Sequence, residues 1–291
     1  TSDTTCTGCT FPSGLSPSTA PFAGPPTRRM ETSRPSHISS LRGAPLAVFV
    51  ATRAEARPLW MALCSTSRAP HLSDSVARAQ LQDREVVLAT TGMGREHAEA
   101  AARRLFDEVP GAVAFSVGVS AGLDPQLRPG DLVVADQVSF HRRSGGADHT
   151  FSCDSGLKES AVNVVRRSGK RCHLGPIVTV DQIVLTAKEK RDLAARSGAL
   201  AVDMESAAIA AAAAARSVPF LAIRAILDPV EEDLRIAFDQ FLDHRGSRAQ
   251  GVLPDTFSLT LSPLSPSSGW GFGRRRPVVT SVACCASFQA S

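Results

Sequence analysis

The chain has 291 residues, 43% of them hydrophobic, and a formal net charge of +4. This length and hydrophobic fraction suffice for one large domain or two small ones. No apolar run reaches the roughly 18 residues of a membrane-spanning helix, so the sequence predicts no transmembrane segment.

Composition divides the chain into three parts. Residues 1–44 and 246–291 are rich in Ser, Thr and Pro and show no apolar periodicity. Such segments bury too little apolar surface to fold, so we predict two largely disordered tails around a folded domain at residues 45–245. The tails carry formal charges of +2 and +3, which leaves −1 on the predicted domain. We therefore expect no nucleic-acid partner, since the basic excess lies outside the domain.

The seven cysteines form no recognisable metal-binding set. Cys6 and Cys9 make a CxxC pair, but the second pair that a zinc site would need is lacking. Scattered cysteines are typical of a reduced intracellular protein. We expect a cytoplasmic protein without a metal or cofactor, although its Ser/Thr/Arg-rich start also resembles an organelle-targeting segment.

Strands and helices alternate through the predicted domain. Seven apolar strands are predicted, at residues 46–51, 86–91, 113–117, 131–138, 177–180, 199–202 and 220–228. Helices are predicted at residues 54–63, 95–109 and 207–216. This alternation predicts an α/β fold of three layers, in which a twisted, mostly parallel or mixed central sheet is flanked by helices.

Two turns of small residues follow predicted strands. Gly92-Met93-Gly94 opens a helix, so its backbone amides can face a ligand; a tight turn without a ligand is the alternative. It is not a dinucleotide fingerprint, since His97 stands where the third glycine would fall. The second turn is Gly118–Leu123. Its Ser120 fits a G-x-S-x-G elbow, but we expect no Ser nucleophile because the only late histidine is His244, at the domain's edge.

Three carboxylates stand at predicted strand ends. Glu55 follows the first strand, Glu205 belongs to the triplet Asp203-Met204-Glu205, and Asp228 ends the last strand. Ligands of open α/β sheets bind at the carboxyl ends of strands. Helix capping and turn formation are the structural alternatives. Together the three acids suit glycosidic chemistry, in which one acid protonates the leaving group and another activates water.

These motifs resemble the nucleoside phosphorylase/nucleosidase superfamily, especially the 5′-methylthioadenosine/S-adenosylhomocysteine nucleosidases and the hopanoid-associated nucleosidases. The resemblance covers about residues 46–243 and rests on Ala51–Glu55, Gly92-Met93-Gly94, residues 118–136, Val202–Glu205 and Val218–Asp228. It implies a nucleoside phosphorylase-like fold and hydrolysis of the N-glycosidic bond of a 5′-modified adenine nucleoside, with release of adenine. It also implies a homodimer.

The resemblance further implies a role for each site residue. Asp228 matches the acid that protonates purine N7, and Glu55 the acid that orients and deprotonates the attacking water. Glu205 matches the acid that hydrogen-bonds the ribose hydroxyls, and Met204 the residue that packs on the ribose. Asp203 is expected to serve the turn. Further substrate contacts are expected from Gly94, Gly118, Val119, Ser120, Ile183 and Val184, the last two through the backbone that reads adenine.

Several positions depart from the family's pattern. Val119 stands where a hydroxyl residue is usual, and Leu227 replaces a polar residue before the acid. Ile183 replaces an aromatic residue that stacks on the base, and Asp203 replaces a Glu. The family's long final helix should follow about residue 242, yet after Arg245 the chain becomes rich in Ser and Pro.

Two other functions stay open. In a phosphate-dependent phosphorylase, phosphate would be a co-substrate held by Arg95 and the helix N-terminus beside Gly94. Glu55 would repel that phosphate, which favours water as the nucleophile. A non-catalytic nucleoside-binding or storage protein is the other possibility; the three acids speak against it and the missing helix for it.

Overall fold

The computed structural model describes residue 41 and residues 43–66, 68–72, 75–141 and 149–234. In this part of the chain the strands are β1 (Leu46–Val50), β2 (Arg68–Leu72), β3 (Val76–Leu81), β4 (Arg84–Thr90), β5 (Val113–Gly122), β6 (Leu132–Phe140), β7 (Thr150–Ser152), β8 (Cys172–Thr179), β9 (Ala201–Asp203) and β10 (Phe220–Asp228). The helices are α1 (Arg53–Thr66), α2 (Arg95–Glu108), α3 (Ser155–Arg167), α4 (Ala187–Ser197) and α5 (Ser206–Ala214).

These strands form one mixed sheet in the order β10-β6-β8-β9-β5-β1-β4-β3-β2, with β7 paired to β6. The long strand β5 runs parallel to β1 and to β10, and its end pairs with antiparallel β9. Because β10 pairs with both β5 and β6, the strands β5, β9, β8, β6 and β10 close into a barrel. The predicted α/β class with a mixed sheet is confirmed, and closure of the sheet is added to it.

The central elements are almost wholly buried, and this explains why they could be predicted from runs of apolar residues. All five residues of β1 are buried, as expected of a strand covered on both faces. Helix α5 buries seven of its nine residues, so its alanines face neighbouring elements on every side rather than along one stripe. Small alanine side chains let this helix pack closely inside the fold.

Five elements were not predicted, namely β2, β3, β7, α3 and α4. Arg, His and Gln interrupt β2 and β3, which form the outer end of the sheet order. Helix α4 is rich in charged residues, although it buries Lys190 and Leu193. By contrast, β10 has the predicted bounds, and β5 extends beyond its predicted end as far as Gly122.

The predicted tails lie outside the described residues, apart from Leu41, Gly43 and Ala44. The segment after residue 242, where the family's final helix was expected, also lies outside them. Buried Arg84 fixes the start of the described chain by donating hydrogen bonds to the carbonyls of Leu41 and Ala44. None of the helices described above is both long enough and apolar enough to cross a membrane.

Candidate active site

A cavity opens where β1 and β4 end, beside the middle of β5. Its polar lining comes from five separate elements or turns, through Glu55, Thr91, Ser116, Glu205 and Arg224. The parallel pairing of β1 with β4 and β5 brings these chain ends to one edge of the sheet. The fold therefore joins two of the three predicted acids, Glu55 and Glu205, in one cavity.

Glu55 is held in place by both of its carboxylate oxygens. Oε2 accepts hydrogen bonds from the amide and the hydroxyl of Thr52, each at 2.9 Å, and Oε1 accepts one from the amide of Val119 at 3.0 Å. The carboxylate is thus fixed across the gap between the first turn of α1 and strand β5. Its donors are neutral groups, so the negative charge stays uncompensated by any of these partners.

Gly118 is required by the position of Glu55. A Cβ at residue 118 would lie 2.6 Å from Glu55 Oε1, closer than such contacts allow. The glycine therefore lets the carboxylate approach the strand backbone and reach the next amide. This contact gives a physical reason for the small-residue turn that the sequence placed at residues 118–123.

Glu205 is the second buried acid of the cavity. Its Oε1 accepts a hydrogen bond from the amide of Gly94 at 2.7 Å. Gly94 has φ 91° and ψ 161°, a conformation open to glycine, and it begins helix α2. Burial raises the pKa of Glu205 to about 7, the negative charge of Asp203 adds to this, and the Gly94 amide and Arg224 oppose it. Glu205 is therefore close to half-protonated near neutral pH.

Asp203 forms a buried ion pair with Arg224, one of the residues that line the cavity. Its Oδ2 lies 2.6 Å from Arg224 Nη2, and both side chains are almost fully buried. Asp203 also accepts hydrogen bonds from the Thr179 hydroxyl and from the Ser206 amide at the start of α5. Arg224 completes the network by donating to the Ser116 hydroxyl. Asp203 thus stabilises the turn before α5 and links it to strands β8 and β10.

Asp228 occupies a different environment. On β10 it lies opposite Ala121, whereas Arg224 lies opposite Gly118, so Asp228 stands about 10 Å further along the β5–β10 pair. It is not among the residues that line the cavity. Its carboxylate pairs with the ammonium of Lys190 on α4, a side chain that is fully buried. Burial raises the pKa of Asp228, and the bond from Lys190 works in the opposite direction.

The remaining predicted residues lie around these acids. Gly118, Val119 and Gly94 contact Glu55 or Glu205 as described. Ser120 is buried, and within the described part of the chain its Oγ has no hydrogen-bond partner. Met204, Ile183 and Val184 are half-buried. The roles assigned to all of these residues stay predictions.

Sequence reasoning missed two charged residues of this region. Arg224 interrupts an otherwise apolar strand, which is a signal for a buried counter-charge, here Asp203. Lys190 lies three residues before buried Leu193 on one face of α4, so a lysine occupies a core position. Arg95, expected to bind phosphate in the phosphorylase alternative, instead lies over the Phe140 ring at 5.0 Å.

Similar proteins were found at the levels of sequence and structure. A 5′-methylthioadenosine/S-adenosylhomocysteine nucleosidase of Staphylococcus aureus (strain bovine RF122 / ET3-1) is 27% identical over 175 residues, covering 56% of this chain and 77% of the relative. The nucleosidase of the same name from Neisseria meningitidis, solved in complex with methylthio-immucillin-A, matches with a TM-score of 0.64 at 22% identity over 84% of this chain and 98% of that one.

A futalosine hydrolase of Helicobacter pylori has a similar structure, with a TM-score of 0.61 at 21% identity over 75% of this chain and 95% of that one. The expected enzyme class, an N-glycosyl hydrolase, is the class to which these relatives' names point. The family model described as "Phosphorylase superfamily" matches residues 45–257. The chain therefore belongs to the phosphorylase superfamily.

Proposed function

We propose that this protein hydrolyses the N-glycosidic bond of a 5′-modified adenine nucleoside of the methylthioadenosine or S-adenosylhomocysteine type and releases adenine. The observation that carries the proposal is the carboxylate of Glu55, fixed by Val119 and Thr52 in the same cavity as buried Glu205. The substrate class comes from the names of the relatives.

The proposed reaction divides the work among three acids. Asp228 gives its proton to purine N7 while the bond between C1′ and N9 breaks, so the bonding electron pair leaves with a neutral adenine. Glu55 accepts a proton from a water molecule whose oxygen bonds to C1′. Glu205 holds the ribose hydroxyls. The sugar is cationic in the transition state, so the carboxylates of Glu55 and Glu205 stabilise it electrostatically.

The charges around the cavity favour water over phosphate. Phosphorolysis needs cations that are free to contact phosphate oxygens. Arg224 is already bound to Asp203, Ser116 and Ser206, and Arg95 lies over Phe140. Glu55 would also repel a phosphate dianion at the nucleophile position. A phosphorylase is therefore the second candidate, favoured only by the breadth of the superfamily.

Base recognition is proposed for the strand end at Ser120 and the segment of Ile183 and Val184. A buried hydroxyl without a partner costs on the order of 1–3 kcal/mol, which a ligand hydrogen bond would offset. Ser120 is such a group, and it lies on β5 between Gly118 and Ala121, the residue opposite Asp228.

A homodimer is also proposed, and light scattering of the purified chain tests it.

One incubation tests the function. The purified chain is mixed with methylthioadenosine, S-adenosylhomocysteine or inosine, each with and without phosphate, and the free base is quantified. We expect adenine from the first two substrates at the same rate with or without phosphate. Strict dependence on phosphate would show a phosphorylase instead, and the absence of release from every substrate would favour a non-catalytic protein.

A further inference from the structure

Lys190 is a buried lysine with three acceptors around its ammonium. Nζ bonds the Asp228 carboxylate, the Pro229 carbonyl at 3.0 Å and the Glu232 carbonyl at 2.7 Å. The side chain is fully buried. A lysine is almost never buried to this degree unless it is paired. Its three acceptors match the three donors of an ammonium, so the site is built for the charged form.

The segment that follows Asp228 is tied to helix α4 at several further points. At the surface, Arg191 pairs with Glu231, and Asp233 accepts a hydrogen bond from the amide of Ala187. The amide of Leu234 donates to the carbonyl of Leu185. These contacts fix the helix against the end of β10 and explain how Lys190 reaches Asp228 from another part of the chain.

The charges that face Asp228 are few. Lys190 lowers its pKa, and the negative charge of Glu232 raises it together with burial, which is the larger effect. Arg191, Glu231 and Asp233 lie at the exposed rim, where solvent screens them. Arg224 acts on Glu205 only through its charge, and the donors that bond Glu205 and Glu55 are neutral, whereas Asp228 accepts a hydrogen bond from the charged ammonium of Lys190.

We infer that Lys190 positions Asp228 for leaving-group protonation and stabilises the carboxylate that remains once the proton has left. This inference rests on the proposed function, because it takes Asp228 to be the acid. A buried carboxylate without a partner is costly, so an acid in this place needs a counter-charge for its ionised form. Lys190 provides it through its bond to Oδ2 of that carboxylate.

The proposed step moves one proton. The hydroxyl proton of neutral Asp228 goes to purine N7, and the electron pair of the C1′–N9 bond stays on the departing base. Asp228 is left as a carboxylate paired with the Lys190 ammonium, which keeps its own three protons throughout. Solvent reprotonates Asp228 after adenine has left. Lys190 touches neither substrate nor nucleophile, so its effect passes through Asp228.

The test compares neutral and charged replacements of Lys190. Lys190→Gln keeps hydrogen-bond donors but removes the charge, Lys190→Arg keeps the charge, and Lys188→Gln changes an exposed lysine of the same helix. For Lys190→Gln we expect kcat to fall about 10–100-fold with KM changed less than about threefold. In the plot of kcat against pH, the fall on the alkaline side (the alkaline limb) should move to higher pH by about one unit or more, because Asp228 loses the charge that lowers its pKa.

Lys190→Arg should keep the parental limb and recover kcat to within about tenfold, and Lys188→Gln should behave as the parent. If Lys190→Gln does not fold, Lys190→Arg decides: a parental limb supports the inference and a displaced limb overturns it. Thermal melting is followed in each variant. A Lys190→Gln that melts earlier but keeps the parental limb overturns the inference, since the lysine would then be structural only.

The proposed function and the role of Lys190 can be refuted separately. If the parent releases no adenine from any substrate, the proposed function is wrong and the inference falls with it. If the parent releases adenine and the alkaline limb of Lys190→Gln stays in place, only the role of Lys190 is wrong.

Discussion

The two ends of the candidate site hold their carboxylates in different ways. At one end, Glu55 and Glu205 accept hydrogen bonds from the amides of Val119 and Gly94. At the other end, Asp228 is paired with the buried ammonium of Lys190. Neutral donors fix a carboxylate without cancelling its charge, whereas a cation stabilises the charge itself. Acids at different strand ends of this fold therefore lie in different electrostatic environments.

This difference suits the proposed division of labour. The sugar becomes cationic during the reaction, so it is stabilised by a carboxylate held by neutral donors, as at Glu55, and by the ionised form of Glu205, whose pKa is about 7. The base becomes negative as the bond breaks, so the acid near it must give a proton and then exist as an anion. The ion pair with Lys190 stabilises that anion.

The largest effect is expected at the Asp228 end. Asp228→Asn removes the transferable proton and should lower kcat for adenine release by about 10³-fold or more. Because the amide leaves the buried Lys190 ammonium without its counter-charge, thermal melting should also fall, so kcat is compared at a temperature at which both proteins are folded. Asp192→Asn, on the exposed side of α4, is the matched control and should leave kcat unchanged. Adenine release by Asp228→Asn within tenfold of the parent would refute the acid role.

Next in size is the effect of breaking the buried ion pair between Asp203 and Arg224. Asp203→Ala leaves Arg224 as a buried, unpaired cation and should lower the free energy of unfolding by about 3–5 kcal/mol. The control is Asp107→Ala, which breaks an exposed pair with Arg216 and should cost less than about 1 kcal/mol. Urea unfolding measures both. If both variants lost the same free energy of unfolding, the buried Asp203 pair would contribute no more to stability than an exposed ion pair.

A third change displaces Glu55 without altering its chemistry. Gly118→Ala places a Cβ 2.6 Å from Glu55 Oε1, so the carboxylate must move. We expect kcat to fall about 100-fold, because the group that orients the water is misplaced. In a Glu55→Gln background the same substitution should have little further effect. If the losses of kcat caused by Gly118→Ala and Glu55→Gln were additive in the double variant, the effect of Gly118→Ala would not pass through Glu55.

The last expected effect is a change of stability with pH that comes from Glu205. Its pKa in the folded protein is about 7, above the usual value of 4.5, so the native state binds more protons than the unfolded chain between these values. This contribution to stability is complete below about pH 4.5 and is lost as the pH rises through about 7. Relative to the parent, Glu205→Gln should therefore become more stable with rising pH, by on the order of 3 kcal/mol from pH 4 to 8. A difference that does not change with pH would contradict the raised pKa.

The strands that were predicted from the sequence are those whose residues are mostly apolar. Strand β10 is apolar from Phe220 to Leu227 except for Arg224, and its bounds were predicted correctly. Periodicity works there because burial on both faces leaves little choice of residue. The closure of the sheet was not predictable, since it depends on β10 pairing with both β5 and β6, which no local pattern records.

The sequence indicated the acids of the candidate site but not the groups that hold them. Asp203, Glu205 and Asp228 stand at the carboxyl ends of strands, which is where α/β sheets bind ligands. Lys190 contacts Asp228 from a helix whose charged sequence hides its buried face. Such a pair depends on the packing of α4 against the end of β10, so tertiary structure was needed to find it.

The central claim is that water attacks the sugar, and isotope labelling tests it most directly. The chain is incubated with methylthioadenosine in H₂¹⁸O containing phosphate, and the sugar product is analysed by mass spectrometry. Because aldehyde exchange also labels a free sugar, the product is trapped by reduction at short times and compared with unlabelled sugar added to the same water. We predict free 5-methylthioribose that carries ¹⁸O at C1 from the first turnover, faster than exchange labels the added sugar. A sugar 1-phosphate as the product would contradict attack by water.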